Sequence, residues 1–282
     1  MIENICVAGA GTMGSGIALC AAQNGFPVIL FDTNELVLNN AVNSINKNLH
    51  TLVEKNKITI EEKQSILNRF VFSSNINDCK AALIIEAIIE KAEIKISLFN
   101  QLAVINNPQT IFASNTSSLS INLLQENISN PERVAGMHFF NPAQIMKLVE
   151  VVKASQTSDE VIETLMQVCK QLNKTPVLCI DAPGFIVNRV ARHYYLEAMK
   201  LVENKMATID SVDEIMEASG FKMGPFKLMD LIGLDINLAV SQSLYEAFNH
   251  EPRFEPSPLQ IKKVKDGELG RKTGRGFYGY EG

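Results

Sequence analysis

The sequence predicts an α/β protein: a doubly wound, mostly parallel sheet over residues 1–183, followed by an all-helical domain over residues 184–282. In the first part, short apolar segments of strand length alternate with longer segments of helical periodicity. This alternation is typical of parallel strands joined by right-handed crossover helices. The pattern after residue 183 is helical throughout. A chain of 282 residues is long enough for two domains with a large core.

The first predicted strand leads into three glycines with the spacing G-x-G-x-x-G. Gly9 permits a tight turn, Gly11 lets backbone N–H groups approach a pyrophosphate, and Gly14 lets the next helix pack on the strand. The helix through residues 17–22 directs its positive dipole end at the same place. The turn is typical of a Rossmann-type dinucleotide site, although glycine clusters also mark ordinary turns.

An acidic residue at the end of the second predicted strand favours the dinucleotide interpretation. The strand Pro27–Phe31 follows the helix-ending pair Asn24-Gly25, and Asp32 comes directly after it. A carboxylate about twenty positions beyond the glycines accepts hydrogen bonds from ribose hydroxyls and repels a 2′-phosphate, which favours NAD over NADP. The alternative is a tight turn with a surface aspartate. The cofactor-binding residues predicted here are Gly9, Gly11, Thr12, Met13, Gly14 and Asp32.

The alternation of helices and strands continues to residue 113. Apolar residues at steps of three and four predict a helix over Asn34–Glu54, and Thr59 with Glu62 forms a capping box for a second helix. The remaining elements predicted in this part are strands at 71–73, 81–85 and 110–113 and a helix at 90–105.

Polar side chains follow later strands, at the sheet edge where parallel sheets bind ligands. The cluster 115–118 follows the strand that ends at Ser114, and His138 follows the apolar run 134–137. Glu150 interrupts another apolar strand, 147–152. Because a buried carboxylate needs a partner, His138 on a neighbouring strand is the natural one.

The predicted helical domain begins after a last strand at 176–180. A long apolar-rich helix spans Phe185–Glu203, with Asn188 in its first turn. Ser211 with Glu214 predicts the cap of another helix, Pro225 opens a third, and a fourth spans 235–248. Residues 249–258 are predicted as a loop, and the tail 271–279 as a packed hook. The surplus of apolar helix surface predicts a partner subunit.

Composition excludes several classes of protein. A net charge of −5 disfavours nucleic-acid binding, and no apolar run is long enough to span a bilayer. The first strand starts almost at Met1, so no signal peptide is expected. Five cysteines without metal-ligand pairing predict reduced thiols, a cytoplasmic protein and no metal site.

Several motifs in a fixed order give a more specific indication. They are G-A-G-T-M-G at 9–14, S-N-T-S-S-L at 114–119, H-F-F-N-P-A at 138–143, D-A-P-G-F-I-V-N-R at 181–189, M-G-P-F at 223–226 and G-R-G-F-Y at 274–278. Across essentially its whole length the chain resembles the short-chain L-3-hydroxyacyl-CoA dehydrogenases, and most closely the bacterial 3-hydroxybutyryl-CoA dehydrogenases. Lys222 departs from the proline that this family usually has before M-G-P.

The resemblance implies NAD-dependent oxidation of L-3-hydroxyacyl-CoA, such as 3-hydroxybutyryl-CoA, to 3-ketoacyl-CoA, such as acetoacetyl-CoA, and the reverse reduction. His138 matches the family's general acid/base and Glu150 its carboxylate partner, and imidazole exchanges protons near neutral pH. Ser117 and Asn188 match the residues that bind the substrate's C3 oxygen. Taken singly, these residues are also compatible with a core histidine, a turn serine and a helix-end asparagine.

The resemblance also implies further binding residues and an oligomer. Glu90, Lys95, Asn115 and Asn141 match cofactor-lining positions. Asn48 and Lys55 match positions that contact coenzyme A. Solvated helix charges are the alternative for Glu90 and Lys95, and a solvated helix end is the alternative for Lys55. The helical domain is expected to line the substrate cleft and to form a homodimer or higher homo-oligomer.

Two other functions use the same fold. One is a sugar-acid dehydrogenase of the gulonate type, which needs no coenzyme A. The other is a non-catalytic NAD-binding structural protein, which has no need for the set His138, Glu150, Ser117 and Asn188. The motifs in the C-terminal part disfavour the first, and the intact set disfavours the second.

Overall fold

The structure is a computed structural model that describes residues 2–280. It divides into two compact units, Met1–Ala182 and Pro183–Gly282. The first unit is built on a sheet with the strand order β3-β2-β1-β4-β5-β6-β7-β8. The strands are β1 (Ile5–Ala8), β2 (Val28–Phe31), β3 (Phe70–Ser73), β4 (Leu83–Glu86), β5 (Ile111–Ser114), β6 (Val134–Phe139), β7 (Leu148–Lys153) and β8 (Thr175–Ile180).

Neighbouring strands of this sheet are parallel except for β6 and β7, which are antiparallel. The strand order reverses between β1 and β4, so the carboxyl ends of these strands border a crevice where ligands bind in such sheets. Helices flank the sheet, and the second unit is helical. The predicted fold class, a doubly wound, mostly parallel sheet with a C-terminal helical region, is confirmed.

The helices of the first unit follow the predicted alternation. They are α1 (Thr12–Gln23), α2 (Glu35–Glu54), α3 (Ile60–Leu67), α4 (Ala92–Ile105), α5 (Ile121–Gln125) and α6 (Asp159–Gln171). The predicted capping box of α3 is confirmed, because the Thr59 and Glu62 side chains bond each other's backbone N–H groups. Helices α5 and α6 were not predicted, although Ser120 and Ser158 cap them as N-cap serines do elsewhere.

The central strands are buried because their apolar runs are covered on both faces. Every residue of β1 and β4 is buried, and α1 buries nine of its residues against this core. Burying one isoleucine or leucine side chain contributes about 1.5–3 kcal/mol relative to leaving it exposed. The loops that follow the carboxyl ends of these strands are therefore attached to a well-packed core.

The second unit contains α7 (Val187–Glu203), α8 (Ile209–Ala218), α9 (Pro225–Ile232), α10 (Leu234–Ala247) and α11 (Pro258–Lys265). The predicted cap of α8 was wrong. Thr208 is the N-cap, and Ser211 closes a capping box with it, because α8 begins at Ile209. Helix α11 was missed because its first residue, Pro258, was counted as part of a proline-rich loop, whereas proline is favoured at a helix start.

Two buried aspartates explain the glycine motifs of this unit. Asp230 accepts hydrogen bonds from the N–H groups of Phe277 and Tyr278, each at 2.9 Å. A Cβ atom at Gly276 would lie 2.1 Å from Oδ1 of Asp230, and one at Gly224 would lie 2.3 Å from Oδ1 of Asp213. The motifs M-G-P-F and G-R-G-F-Y therefore pack the chain end, and the predicted hook is confirmed. No helix within residues 2–280 is long and apolar enough to cross a membrane.

Candidate active site

The glycine turn between β1 and α1 forms one wall of the candidate site. Gly9 has φ +104°, and a Cβ atom there would lie 2.6 Å from the carbonyl oxygen of Ala87. A Cβ atom at Gly14 would lie 1.7 Å from the carbonyl oxygen of Gly9. At Gly11 a Cβ atom would have nothing within 4 Å. The first and third glycines are thus required by packing, whereas the second faces open space.

That open space suits a phosphate group. Helix α1 begins at Thr12 directly after Gly11. The N–H groups of its first turn, Thr12 and Met13 among them, have no partner within the helix. With the positive end of the helix dipole, these donors favour an anion at this position. The residues present therefore fit the pyrophosphate of a dinucleotide.

Asp32 is held beside the same turn. Its Oδ2 atom accepts a hydrogen bond from the N–H of Ala10, and its Oδ1 atom accepts one from the N–H of Asn34, each at 2.9 Å. A cavity of about 780 Å³ opens here, lined by Gly9, Gly11 and Asp32 together with residues of α4. This volume lies in the range of cofactor sites, roughly 300–1,000 Å³.

A second cavity lies on the other side of the turn. It measures about 470 Å³ and is lined by Gly11, Thr12, Asn48 and Asn141, among other residues. The structure thus brings two of the predicted binding residues, Asn48 and Asn141, to one groove beside the glycine turn. The Asn48 side chain donates to the carbonyl of Ser44 on its own helix, at 2.9 Å.

His138 and Glu150 form a buried pair. They lie directly opposite each other on the antiparallel strands β6 and β7. Nδ1 of His138 is 2.7 Å from Oε2 of Glu150, and the two residues are 6% and 1% exposed. A carboxylate on Nδ1 stabilises the tautomer that carries its proton there, so Nε2 presents the lone pair. This arrangement suits general acid–base chemistry.

The loop after β5 is fixed to the strands on either side of it. Asn115 accepts a hydrogen bond from the N–H of Phe139 through Oδ1, and its own N–H donates to the carbonyl of Glu86, each at 2.8 Å. Ser117, two residues further on, donates its N–H to Oε1 of Glu90 at 3.2 Å. The first contact connects this loop to the residue that follows His138.

Lys95 is not the solvated helix charge that was considered as an alternative, and Glu90, which is partly exposed, pairs with it. Glu90 precedes α4, and Lys95 is 1% exposed. Nζ of Lys95 lies 3.1 Å from Oε2 of Glu90. Burial opposes ionisation of Glu90, but the charge of Lys95 and the hydroxyls of Thr116 and Ser118 outweigh it and lower its pKa. The lowered pKa keeps Glu90 ionised near neutral pH.

Glu86 was missed by sequence reasoning. It is fully buried at the end of β4, and its Oε1 atom is 2.6 Å from Nζ of Lys95. The sequence does carry a signal for Glu86, because this carboxylate ends an apolar strand. Asp32 and Glu150, which were selected, also occur after or within apolar strands.

Two of the predicted substrate-binding residues, Lys55 and Asn188, line neither of the two cavities described above. Lys55 is the exposed C-cap residue directly after α2. Asn188 is the second residue of α7 in the second unit, and it is half-buried. Within residues 2–280, no three side chains of metal-binding type form a cluster.

Comparison with known proteins places both parts of the chain in one family. Residues 4–182 match the sequence model of the 3-hydroxyacyl-CoA dehydrogenase NAD-binding domain, and residues 184–280 match that of the C-terminal domain. The chain is 46% identical over 279 residues to 3-hydroxyadipyl-CoA dehydrogenase of Escherichia coli, covering 98% of this chain but 59% of that protein. It therefore spans about three fifths of that relative's length.

Two relatives match along nearly their whole length. A probable 3-hydroxybutyryl-CoA dehydrogenase of Deinococcus radiodurans is 41% identical, with 97% of this chain and 99% of that protein covered. The crystal structure of (S)-3-hydroxybutyryl-CoA dehydrogenase from Ralstonia eutropha superposes with a TM-score of 0.95 at 38% identity, covering 100% of both chains. These matches confirm the predicted family and the NAD-binding character of the first domain. The chain belongs to the 3-hydroxyacyl-CoA dehydrogenase family.

Proposed function

We propose that this chain catalyses the NAD-dependent oxidation of L-3-hydroxyacyl-CoA, with 3-hydroxybutyryl-CoA as substrate and acetoacetyl-CoA as product, and the reverse reduction. Family membership supports the reaction class, and the relatives named 3-hydroxybutyryl-CoA dehydrogenase support the substrate. The structural observation that carries the proposal is the buried pair of His138 and Glu150, 2.7 Å apart.

The pair performs the proton transfer of this reaction. In the oxidising direction, neutral His138 accepts the proton of the C3 hydroxyl, and in the reducing direction protonated His138 returns it. Glu150 orients the imidazole and stabilises its charged form, because an ionised carboxylate lies at hydrogen-bond distance from Nδ1. When bound, NAD supplies the acceptor for the hydride that leaves C3.

The glycine turn and its neighbours hold the cofactor in this proposal. The backbone at Gly11, Thr12 and Met13 binds the pyrophosphate, since it is open and carries donors at a helix N-terminus. Asp32 binds the ribose hydroxyls. Glu90, Asn115 and Asn141 line the nicotinamide side, and Lys95 contributes by holding the Glu90 carboxylate.

For the substrate, Ser117 and Asn188 bind the C3 oxygen, and Asn48 and Lys55 contact the coenzyme A portion. The helical second unit forms a homodimer. The exposed apolar side chains of that unit, Val190 and Ile215 among them, support the dimer. Five free cysteines, all buried, support a reducing, cytoplasmic location.

The test compares substrates under one assay. Purified protein should oxidise NADH with acetoacetyl-CoA and reduce NAD with 3-hydroxybutyryl-CoA, and it should not reduce NAD with gulonate. A 3-ketoacyl-CoA with a terminal carboxylate belongs in the same series, because the Escherichia coli relative is named for 3-hydroxyadipyl-CoA. Turnover of gulonate with none of acetoacetyl-CoA would overturn the proposal.

A further inference from the structure

A buried lysine lies between two carboxylates beside the loop that carries Ser117. Nζ of Lys95 is 2.6 Å from Oε1 of Glu86 and 3.1 Å from Oε2 of Glu90. Lys95 and Glu86 are 1% and 0% exposed, so their charges are removed from water. Removing one partner from such a pair leaves a buried charge uncompensated, which makes each of the two depend on the other.

Glu90 extends this arrangement to the loop. Its Oε1 atom accepts hydrogen bonds from the Ser117 N–H at 3.2 Å and from the Ser118 hydroxyl at 3.1 Å, as well as from the Thr116 hydroxyl. The same carboxylate uses its other oxygen for Lys95. The position of the loop therefore depends on where Lys95 holds Glu90.

Glu86 is the fixed end of the chain of contacts. It belongs to the buried strand β4, and its Oε1 atom also accepts a hydrogen bond from the N–H of Ile88 at 2.7 Å. Its Oε2 atom accepts one from the hydroxyl of Ser114 at 2.7 Å. Glu86 thus cannot follow Lys95 outward, whereas Glu90, with a side chain 37% exposed, can move.

We infer that Glu86 is a positioning residue for the loop Asn115–Ser118 and that it acts through Lys95 and Glu90. The inference rests on the proposed function, in which Ser117 binds the substrate oxygen. Once Glu86 is neutral, Glu90 becomes the remaining anion for Lys95, and Lys95 draws it away from the Ser117 and Ser118 donors. NADH loses the Glu90 contact on its nicotinamide side, while the glycine turn and Asp32 keep their contacts, so kcat falls by a larger factor than NADH affinity.

The test is a double-mutant cycle of Glu86→Gln and Lys95→Met. Glutamine keeps an oxygen acceptor for the Ile88 N–H and removes the charge. We expect each single change to lower kcat for acetoacetyl-CoA reduction about 10- to 100-fold, as misplacement of a substrate-binding group does. The double variant should match the slower single variant to within about twofold, since the two residues act in one chain. The Kd for NADH should rise by a smaller factor than kcat falls, because only the Glu90 contact on the nicotinamide side is disturbed.

A second measurement does not need activity. Hydrogen–deuterium exchange of a peptide that covers residues 115–120 should quicken in Glu86→Gln and stay unchanged in Glu217→Gln. Glu217 is the matched control because it also pairs with a lysine, Lys227, at 2.9 Å, but in the second unit. The control should keep the kcat of the unchanged protein.

The outcomes separate the inference from the proposed function. Absence of acetoacetyl-CoA reduction in the unchanged protein overturns the proposed function, while the exchange experiment still tests the inference. Unchanged loop exchange in Glu86→Gln, or losses of kcat that multiply in the double variant, overturn the inference. If Glu86→Gln does not fold, loop exchange is compared between Lys95→Met and the double variant. Faster loop exchange in the double variant than in Lys95→Met would show that Glu86 does not act through Lys95, and would overturn the inference.

Discussion

At the scale of single residues, the proposed proton transfer depends on an imidazole and a carboxylate that lie in contact inside the protein. His138 and Glu150 are both buried, and one oxygen of the carboxylate lies 2.7 Å from Nδ1. The ring of Phe140 lies beside the imidazole, with 4.5 Å between ring centroids. Orientation and exclusion of water therefore come from neighbours on the same two strands and the loop between them.

Replacing His138 should remove turnover and leave cofactor binding. Loss of a general acid–base typically costs about 10²–10⁴-fold in rate, and we expect His138→Gln to lose that much acetoacetyl-CoA reduction. NADH fluorescence titration should give a Kd close to that of the unchanged protein, because the glycine turn lies on β1 and α1. Near-normal turnover of the variant would refute the mechanism. Lost NADH binding would contradict the separation of the two sites.

Replacing Asp32 should change cofactor choice. The unchanged protein should prefer NADH to NADPH, because a carboxylate at the end of β2 repels a 2′-phosphate. Asp32→Ala should weaken NADH binding. It should also reduce the preference for NADH over NADPH, measured as the ratio of kcat/KM for the two cofactors. Faster turnover of the unchanged protein with NADPH at equal concentration would show that the assignment of Asp32 is wrong.

At the scale of elements, the strand–turn–helix unit β1–α1 separates packing from binding. Gly14 carries the helix against the turn, since its Cβ position is 1.7 Å from a backbone oxygen, while the Gly11 position is open. Gly14 is therefore required for packing of the helix, whereas the open space at Gly11 is available to the proposed cofactor.

Alanine at each glycine should separate stability from affinity. Gly14→Ala should lower the free energy of unfolding, because overpacking typically costs about 1–3 kcal/mol and here meets backbone. Gly11→Ala should keep the stability of the unchanged protein and weaken NADH binding, since the added methyl group occupies the open space. Urea unfolding and NADH titration of both variants provide the measurements. Equal stability losses in the two would contradict this division.

At the scale of the whole molecule, the C-terminal segment is held to the helices of the second unit by hydrogen bonds to Asp213 and Asp230. Tyr280 donates its hydroxyl to Oδ2 of Asp230 at 2.9 Å. Burial raises the pKa of Tyr280 to about 12, with the hydrogen bond to Asp230 and its charge acting in the same direction. Burial and Asp213 likewise raise the pKa of Tyr278.

Stability should therefore fall in alkaline solution. The unfolded chain releases the tyrosine proton near pH 10, about the ordinary pKa of tyrosine, whereas folded Tyr280 keeps it until about pH 12. The stabilisation is complete below about pH 10 and is lost as the pH rises towards 12. In urea unfolding, Tyr280→Phe should reduce the fall in the free energy of unfolding between about pH 10 and pH 12. If the free energy of unfolding fell equally steeply with pH in Tyr280→Phe and in the unchanged protein, the role of Tyr280 would be contradicted.

The proposed homodimer gives a prediction at the same scale. Sedimentation equilibrium should give twice the chain mass of 31.2 kDa. Val190, 67% exposed on α7, is a candidate contact, and Val190→Glu should shift the protein towards monomer because a charge is costly in an apolar interface. Val104→Glu, at an 85% exposed position on α4, is the matched control. A monomeric unchanged protein would contradict the proposed dimer.

The fold class, the glycine turn of the dinucleotide site and the pairing of His138 with Glu150 could all be predicted from the sequence. These features depend on local spacing: three glycines at a strand end, Asp32 after the next strand, and apolar periods of strand and helix length. The same local signals placed His138 and Glu150 on neighbouring strands. They also carried the family resemblance that the comparisons confirm.

The contacts between distant residues depend on how the strands and helices pack. The antiparallel pairing of β6 and β7 puts Glu150 directly opposite His138, and the approach of α4 to β4 buries Lys95 against Glu86. Gly224 packs against Asp213 on the preceding helix, and Gly276 packs against Asp230, which is distant in the sequence. Local patterns report how a segment buries its own faces, whereas strand direction and the pairing of buried charges follow from contacts across the chain. For that reason the pairing of Lys95 with Glu86 and Glu90 became visible only in the folded molecule, whereas the pairing of His138 with Glu150 was predicted.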